Sequence, residues 1–159
     1  MSGKKKRGKR DKVPFSKNDF QQVQNSIEKS LEGTGKDIST LTGEYLSALI
    51  RVMGMDSGGI YFIDKDSGDM TLICHAGLSD TFARDSRYYT ADSKRAEMIK
   101  RGKLLFFNSE ETNSILSDVQ LKEGLRSLAV LPVMAGGEII ATINLASHDR
   151  DEISDQFKS

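Results

Sequence analysis

The chain has 159 residues, 37% of them hydrophobic and 29% charged, with a formal net charge of zero. That is enough for one domain with its own core; no apolar run approaches the ~18 residues of a membrane-spanning helix, and the lysines after Met1 are not followed by the apolar stretch of a signal peptide. One cysteine, Cys74, excludes an internal disulfide and a cysteine-rich zinc site, so a cytoplasmic setting without membrane insertion is expected.

The charge is unevenly placed. Lys4, Lys5, Lys6, Arg7, Lys9, Arg10 and Lys12 stand against Asp11 alone, so the rest of the chain carries a balancing acidic excess. A basic block of this kind reads as a solvated tail. Residues 1–14 are expected to be disordered, because they hold too few apolar side chains to offset ordering entropy. Without interleaved aromatics or an apolar face, the block points to neither specific nucleic-acid binding nor membrane anchoring. Residues 15–36 read as an N-terminal helix and linker. Phe20, Val23, Ile27 and Leu31 fall on one narrow stripe, Ser16 and Asp19 make a weak capping box, and Gly33 stops the helix. Such a stripe suits packing on the domain's own sheet and equally a two-helix seam between copies. The domain proper is expected over residues 37–159.

Residues 38–53 predict a core helix. Ile38, Leu41, Tyr45, Leu49 and Val52 form one stripe, Leu46, Ile50 and Met53 widen it, and Gly54 ends it. Residues 59–64 and 70–76 read as strands joined across a turn-rich connection. In the second strand, alternation puts Met70, Leu72, Cys74 and Ala76 on one face and Thr71, Ile73 and His75 on the other. Residues 79–92 look irregular. Residues 93–100 suit a short helix, 104–108 a strand, 110–117 a polar connection and 119–123 another short helix. A last helix is expected over 149–157, with Ile153 and Phe157 inward.

Residues 123–148 are the most informative stretch. Two apolar runs flank Gly136-Gly137, and a Gly-Gly pair in that setting is a hairpin signal, because the turn needs positive φ. Period two places Ile139, Ala141, Ile143 and Leu145 on one face and Ile140, Thr142, Asn144 and Ala146 on the other. Both faces are apolar enough to be covered, which sets this strand in the middle of a sheet. The uniformly apolar set is expected behind, against helices, together with Leu128 and Val130. Ser127 and Ala129 are expected in front, beside Thr142 and Asn144.

Gly124-Leu125-Arg126-Ser127, Leu131-Pro132-Val133, the Gly-Gly turn and Ile143-Asn144-Leu145-Ala146-Ser147 resemble the end of a GAF domain. The run from Met70 to Leu78 and the short helix, Gly102-Lys103 turn and strand that follow fall in the same family's order, so the resemblance spans about residues 38–157. It implies an α/β (α+β) fold of the GAF/PAS kind: a central antiparallel sheet of five or six strands, helices 19–32, 38–53 and 149–157 behind, and ligand-binding loops 79–123 in front. It also implies a cytoplasmic ligand-sensing and dimerisation module, the input domain of a sensor histidine kinase in a two-component system. Such a module binds a small molecule and pairs as a homodimer through its terminal helices. The short last helix and the basic tail depart from the family pattern.

The ligand-binding residues expected on this reading are Phe62, His75, Phe107, Arg126, Ser127, Ala129, Thr142 and Asn144. Arg126 and Ser127 open a central strand at the mouth of the implied pocket and suit an anionic ligand; Arg126 suits a surface carboxylate equally well. Asn144 is polar on an apolar strand and, if buried, needs a hydrogen-bond partner. Cys74-His75 is the one pair with reactive potential, but strand neighbours point to opposite faces, so no Cys-His dyad and no catalytic residue is expected. The same two residues are the candidate haem ligands of an alternative reading, a haem-based redox or gas sensor, although C-x-x-C-H is absent. A further alternative is an interaction-only domain with an empty pocket. No cofactor is required and no metal site is expected. One cysteine cannot form the internal disulfide of the free methionine sulfoxide reductases of this fold. The Asn-Lys-x-x-x-Phe-x-x-x-Asp-Glu motif of cyclic-nucleotide-binding members and a Walker phosphate loop are also missing, so no enzymatic activity is expected of this chain.

Overall fold

The computed structural model describes residues 38–158. The expected tail, residues 1–14, and the stripe of Phe20, Val23, Ile27 and Leu31 lie outside the described residues. Six strands form one antiparallel sheet: β1 (Ser57–Ile63), β2 (Met70–Ala76), β3 (Tyr88–Tyr89), β4 (Leu105–Phe107), β5 (Ser127–Ala135) and β6 (Glu138–Ser147), in the order β3-β2-β1-β6-β5-β4. The hairpin between β5 and β6 turns on Gly136 and Gly137, whose φ angles are 57° and 81°, as a two-residue turn with positive φ at both positions requires.

Behind the sheet, α1 (Ile38–Val52) packs on β1 and β2. Thr42, Leu46, Leu49, Ile50 and Met53 are buried, a spacing that marks one helical face. That face is rotated from the expected stripe, and Val52 is 41% exposed. The back core joins Leu46, Leu49 and Ile50 to Ile60, Leu131, Val133, Ile143 and Leu145, and Ile153 closes it from the C-terminal side. The helix expected over 149–157 does not form; only a 3-10 turn, Asp155–Phe157, is present. Two apolar residues in nine bury too little to hold a helix. Instead Ile153 anchors the segment in the core while Arg126 grips Asp151. No helix among the described residues is long and apolar enough to cross a membrane.

In front lie four helices of two turns or fewer: α2 (Asp80–Asp85), α3 (Lys94–Lys100), α4 (Ser109–Ile115) and α5 (Asp118–Leu121). Helices this short are unstable alone. Each begins with a side-chain cap, from Ser79, Ser93, Asn108 and Ser117 respectively. Thus α2, β3 and α4 occupy stretches expected to be irregular, because six or seven residues are too few for a periodicity to register.

The faces of the sheet follow the alternation in some places and depart from it in others. Ala141, Ile143 and Leu145 go behind as expected, while Asn144 and Ala146 go in front. Near the hairpin Val133 pairs with Ala141 but Met134 pairs with Ile139. This bulge puts Ile139 in front and Ile140 behind, the reverse of strict alternation. In β5 the expected faces are inverted: Leu128 and Val130 are in front, Ala129, Leu131 and Val133 behind. Directly opposed residues share a face; Ala129 opposes Leu145 and Ser127 opposes Ser147, so Ser127 too lies on the back. In β2 the register slips at Ile73, with Ile60 opposite Cys74 but Tyr61 opposite Leu72. The expected face therefore splits, Met70 and Leu72 going forward and Cys74 and Ala76 back.

Gly77 turns the chain out of β2 at φ 69°, and a Cβ there would lie 2.2 Å from the Asp56 carbonyl oxygen. Gly77→Ala is therefore expected to destabilise by about 2 kcal/mol or more, left-handed strain plus a backbone clash. Gly136→Ala, at φ 57° with open space around it, is expected to cost only about 1 kcal/mol. Urea unfolding of the two variants checks the difference; equal losses would mean that the Gly77–Asp56 contact relaxes freely.

Candidate functional site

Between the front of the sheet and the short helices lies a small, partly open cavity of about 30 Å³. Gly59, Tyr61 and Leu72 supply its floor from β1 and β2, and Leu128, Asn144 and Ala146 from β5 and β6. Phe82 of α2, Tyr89 of β3, Arg95 of α3 and Leu116 roof it. The β2–β3 pairing sets Tyr89 opposite Met70, which brings its ring within 5.7 Å of the Tyr61 ring at a 47° tilt. The Arg95 guanidinium in turn lies over Tyr89, 5.5 Å from the ring centroid, a cation–π distance.

A buried polar network ties this roof to the sheet. Tyr61 donates to the Ser86 carbonyl at 2.7 Å. Gln120 Nε2 donates to Ser86 Oγ at 2.8 Å and to the Tyr89 hydroxyl at 2.7 Å. The Gln120 carbonyl oxygen accepts from the Ser117 N–H at 3.1 Å, so one side chain both caps α5 and braces the cavity wall. Burial, with the neighbouring Tyr89, pushes the Tyr61 hydroxyl well above its ordinary pKa, partly opposed by the Arg95 charge. Against this satisfied network, Asn144 Oδ1 and Thr142 Oγ1 are buried without a hydrogen-bond partner. Unpaired buried polar atoms are costly, and the Asn144 side chain lines the cavity.

Of the residues expected at the site, Asn144 lines the cavity; Thr142, opposite Tyr61, lies on the same face but is fully enclosed. Phe107 packs into the front cluster without lining the cavity. His75 is exposed, opposite Gly59. Ser127 and Ala129 face the back, so neither reaches the cavity; the inversion of β5 is the reason. Phe62 lines a separate groove near the hairpin, with Ile63, Lys100 and Ile139. Arg126 is committed elsewhere: its Nε donates to Asp151 Oδ1 at 2.9 Å and its NH2 group lies 2.6 Å from the same oxygen. Cys74 is half-buried against the back core, and burial pushes its thiol pKa up; it and His75 do not converge. Among the described residues, no group of three or more His, Cys, Asp or Glu side chains is arranged to hold a metal ion.

Sequence reasoning missed Tyr61, Tyr89, Ser86, Arg95 and Gln120. Tyr61 was legible, being one residue off the apolar Ile60 on a strand. The others sit in stretches too short to show which way a side chain points.

A second cluster stands where β1 begins and β6 ends. His148 Nδ1 lies 2.7 Å from Asp56 Oδ1 and its Nε2 lies 3.4 Å from Glu123 Oε1. Asp56 Oδ2 accepts from Ser147 Oγ and the His148 N–H, each at 2.9 Å. Glu123, its side chain only 8% exposed, accepts from the Ser79 N–H at 2.9 Å and from Ser79 Oγ at 2.5 Å. Ser79 is the cap of α2. Burial alone would lower the His148 pKa, but the Asp56 hydrogen bond and charge, joined by Glu123, hold it above the ordinary value. Burial would raise the two carboxylates; hydrogen bonds from His148 and Ser147 to Asp56, and from Ser79 and His148 to Glu123, hold both below theirs.

Residues 35–157 match the family described as GAF domain. No curated protein matches the chain in sequence. Solved structures share the fold. One is a domain described as belonging to a two-component sensor histidine kinase protein from Sinorhizobium meliloti, at 17% identity and a TM-score of 0.60, covering 77% of this chain and 81% of that one. Another is the GAF domain from Acinetobacter phosphoenolpyruvate-protein phosphotransferase, at 13% identity and 0.62, covering 90% and 85%. A third is the type II free methionine-R-sulfoxide reductase from Thermoplasma acidophilum, at 15% identity and 0.59, covering 86% and 84%. At these identities the likeness is one of fold.

The His148 cluster sets a pH window. The raised imidazole contributes stability fully below its ordinary pKa of about 6.5 and loses it as the pH rises through the higher folded value. The lowered carboxylates contribute above about pH 4 and lose their share as the pH falls through their folded values. Glu123→Gln is expected to bring the His148 titration to lower pH and to cost about 1–2 kcal/mol at neutral pH. NMR titration of the two histidines with urea unfolding checks this; a His148 titration that does not move would uncouple it from Glu123.

Proposed function

Because the chain belongs to the GAF domain family, we propose that it works as a ligand-sensing module whose small molecule occupies the cavity in front of the sheet. The observation that carries this reading is Asn144 Oδ1, buried, unpaired and on a side chain that lines the cavity. A ligand in this space pairs with the unmatched polar end of the Asn144 amide, whichever of Oδ1 and Nδ2 faces it. The signal follows from connectivity. Ser79 and Glu123 flank the front layer, and through His148 and Asp56 they are joined to the exit of β6 and to the turn after α1. A ligand that favours one arrangement of the front helices thereby biases both chain connections, a coupling of two states by differential affinity.

On this reading the chain is cytoplasmic and serves as the input domain of a sensor histidine kinase, a context supported by the fold likeness to the Sinorhizobium meliloti domain. Homodimer pairing is supported by the stripe of Phe20, Val23, Ile27 and Leu31. The module is regulatory rather than catalytic. Although one neighbour of similar fold is a sulfoxide reductase, this chain has one cysteine, turned to the back core. The small size of the cavity favours a second reading, an interaction-only domain with an empty pocket.

Native mass spectrometry of the freshly purified chain separates the two. Retained mass on the wild type that disappears in Asn144→Leu, with folding intact, is expected. Ile143→Asn, by contrast, is expected to cost about 3 kcal/mol or more, since it leaves an amide unpaired in the back core. No retained mass, together with a more stable Asn144→Leu variant, would favour the empty pocket.

A further inference from the structure

Resting on the reading of the front cavity as a ligand site, we propose that its ligand is a small oxyanion and that Arg95 is the group that recognises it. No carboxylate and no lysine lines the cavity; Arg95 is the one charged residue that does. Arg95 is half-buried and enters no ion pair among the described residues. A guanidinium in such a place ordinarily finds a carboxylate. Here it rests over the Tyr89 ring and its charge is felt at the Tyr61 hydroxyl inside.

Position adds to the argument. Tyr89, Arg95 and Leu116 line both the cavity and an outer groove of about 800 Å³ between α3 and the α4–α5 connection. Arg95 thus borders both the outer groove and the inner space. The outer groove also carries Asp85 and Asp118, but neither lines the cavity. Size narrows the class. A cavity of about 30 Å³ holds roughly two water-sized groups, which suits a planar oxyanion no larger than a carboxylate. Such an anion takes the paired N–H groups of a guanidinium. The Asn144 amide, turned to present Nδ2, donates from the floor.

The test compares formate with formamide, its neutral counterpart of equal size. The 159-residue chain is titrated calorimetrically with each, ionic strength being held with sodium gluconate, an anion too large for the cavity. Wild type, Arg95→Gln, Arg95→Lys and Asn144→Leu are compared, with circular dichroism to confirm folding. Formate is expected to bind at least tenfold more tightly than formamide, to lose at least tenfold in Arg95→Gln and to recover part of this in Arg95→Lys. Equal binding of formamide, or formate binding that survives Arg95→Gln, overturns the proposal. Formamide binding that Asn144→Leu abolishes, with formate silent, overturns the anion assignment and leaves the ligand site standing. Silence of both probes overturns the oxyanion proposal, while the ligand-site reading stands or falls on the retained mass in native mass spectrometry.

Discussion

The central position of β1 and β6 constrains everything around them. From Ala141 to Ser147 every residue of β6 is buried, so the strand needs cover on two faces at once. Behind, among the described residues, one amphipathic helix and Ile153 cover Ala141, Ile143 and Leu145. In front the face carries Thr142 and Asn144, and no long helix among the described residues covers it. Four short capped helices do so instead, held by polar bonds as much as by apolar burial. The less regular cover is therefore where a space remains.

How far the sequence revealed this depended on whether a residue's neighbours gave its direction a sign. The Gly-Gly hairpin and the α1 region were legible, one from the demand for positive φ and the other from a broad apolar face. The two sides of β6 were legible from Ala141 onward, since Thr142 and Asn144 mark one side as different. In β5 both sides are apolar, so alternation says that residues alternate without saying which set faces helix α1. Small Ala129 belongs behind because large Leu46 and Leu49 fill that layer. The slips at Ile73 and at Ile140 shift parity within a strand, and nothing in a run of apolar residues announces them.

The candidate site was less legible than the fold for a related reason. Asn144 announced itself as a polar residue in an apolar strand. Arg126 offered chemistry that the structure commits to Asp151, and no pattern reveals which carboxylate an arginine will find. The roof is made of residues 79–120, where local capping decides the geometry. Ser79 and the Asn108–Glu111 pair are capping signals visible in the sequence, and weighing them would have recovered α2 and α4. The Gln120–Tyr89–Ser86 network joins segments more than thirty residues apart, which no local rule foresees.

Gly59 stands in the cavity floor, and a Cβ there would meet Leu72 Cδ1 at 2.8 Å. The room in front of the sheet is thus set at a position where the chain contributes no side chain. Its neighbour is the far end of a flexible leucine, so an added methyl group would be absorbed by shrinking the space rather than by breaking the strand. Glycine and alanine codons differ by one base. A scaffold of this kind can change the bulk of the molecule it admits in a single mutational step while Arg95 and Asn144 keep their chemistry, so that size and charge selectivity are free to diverge independently among descendants of one gene.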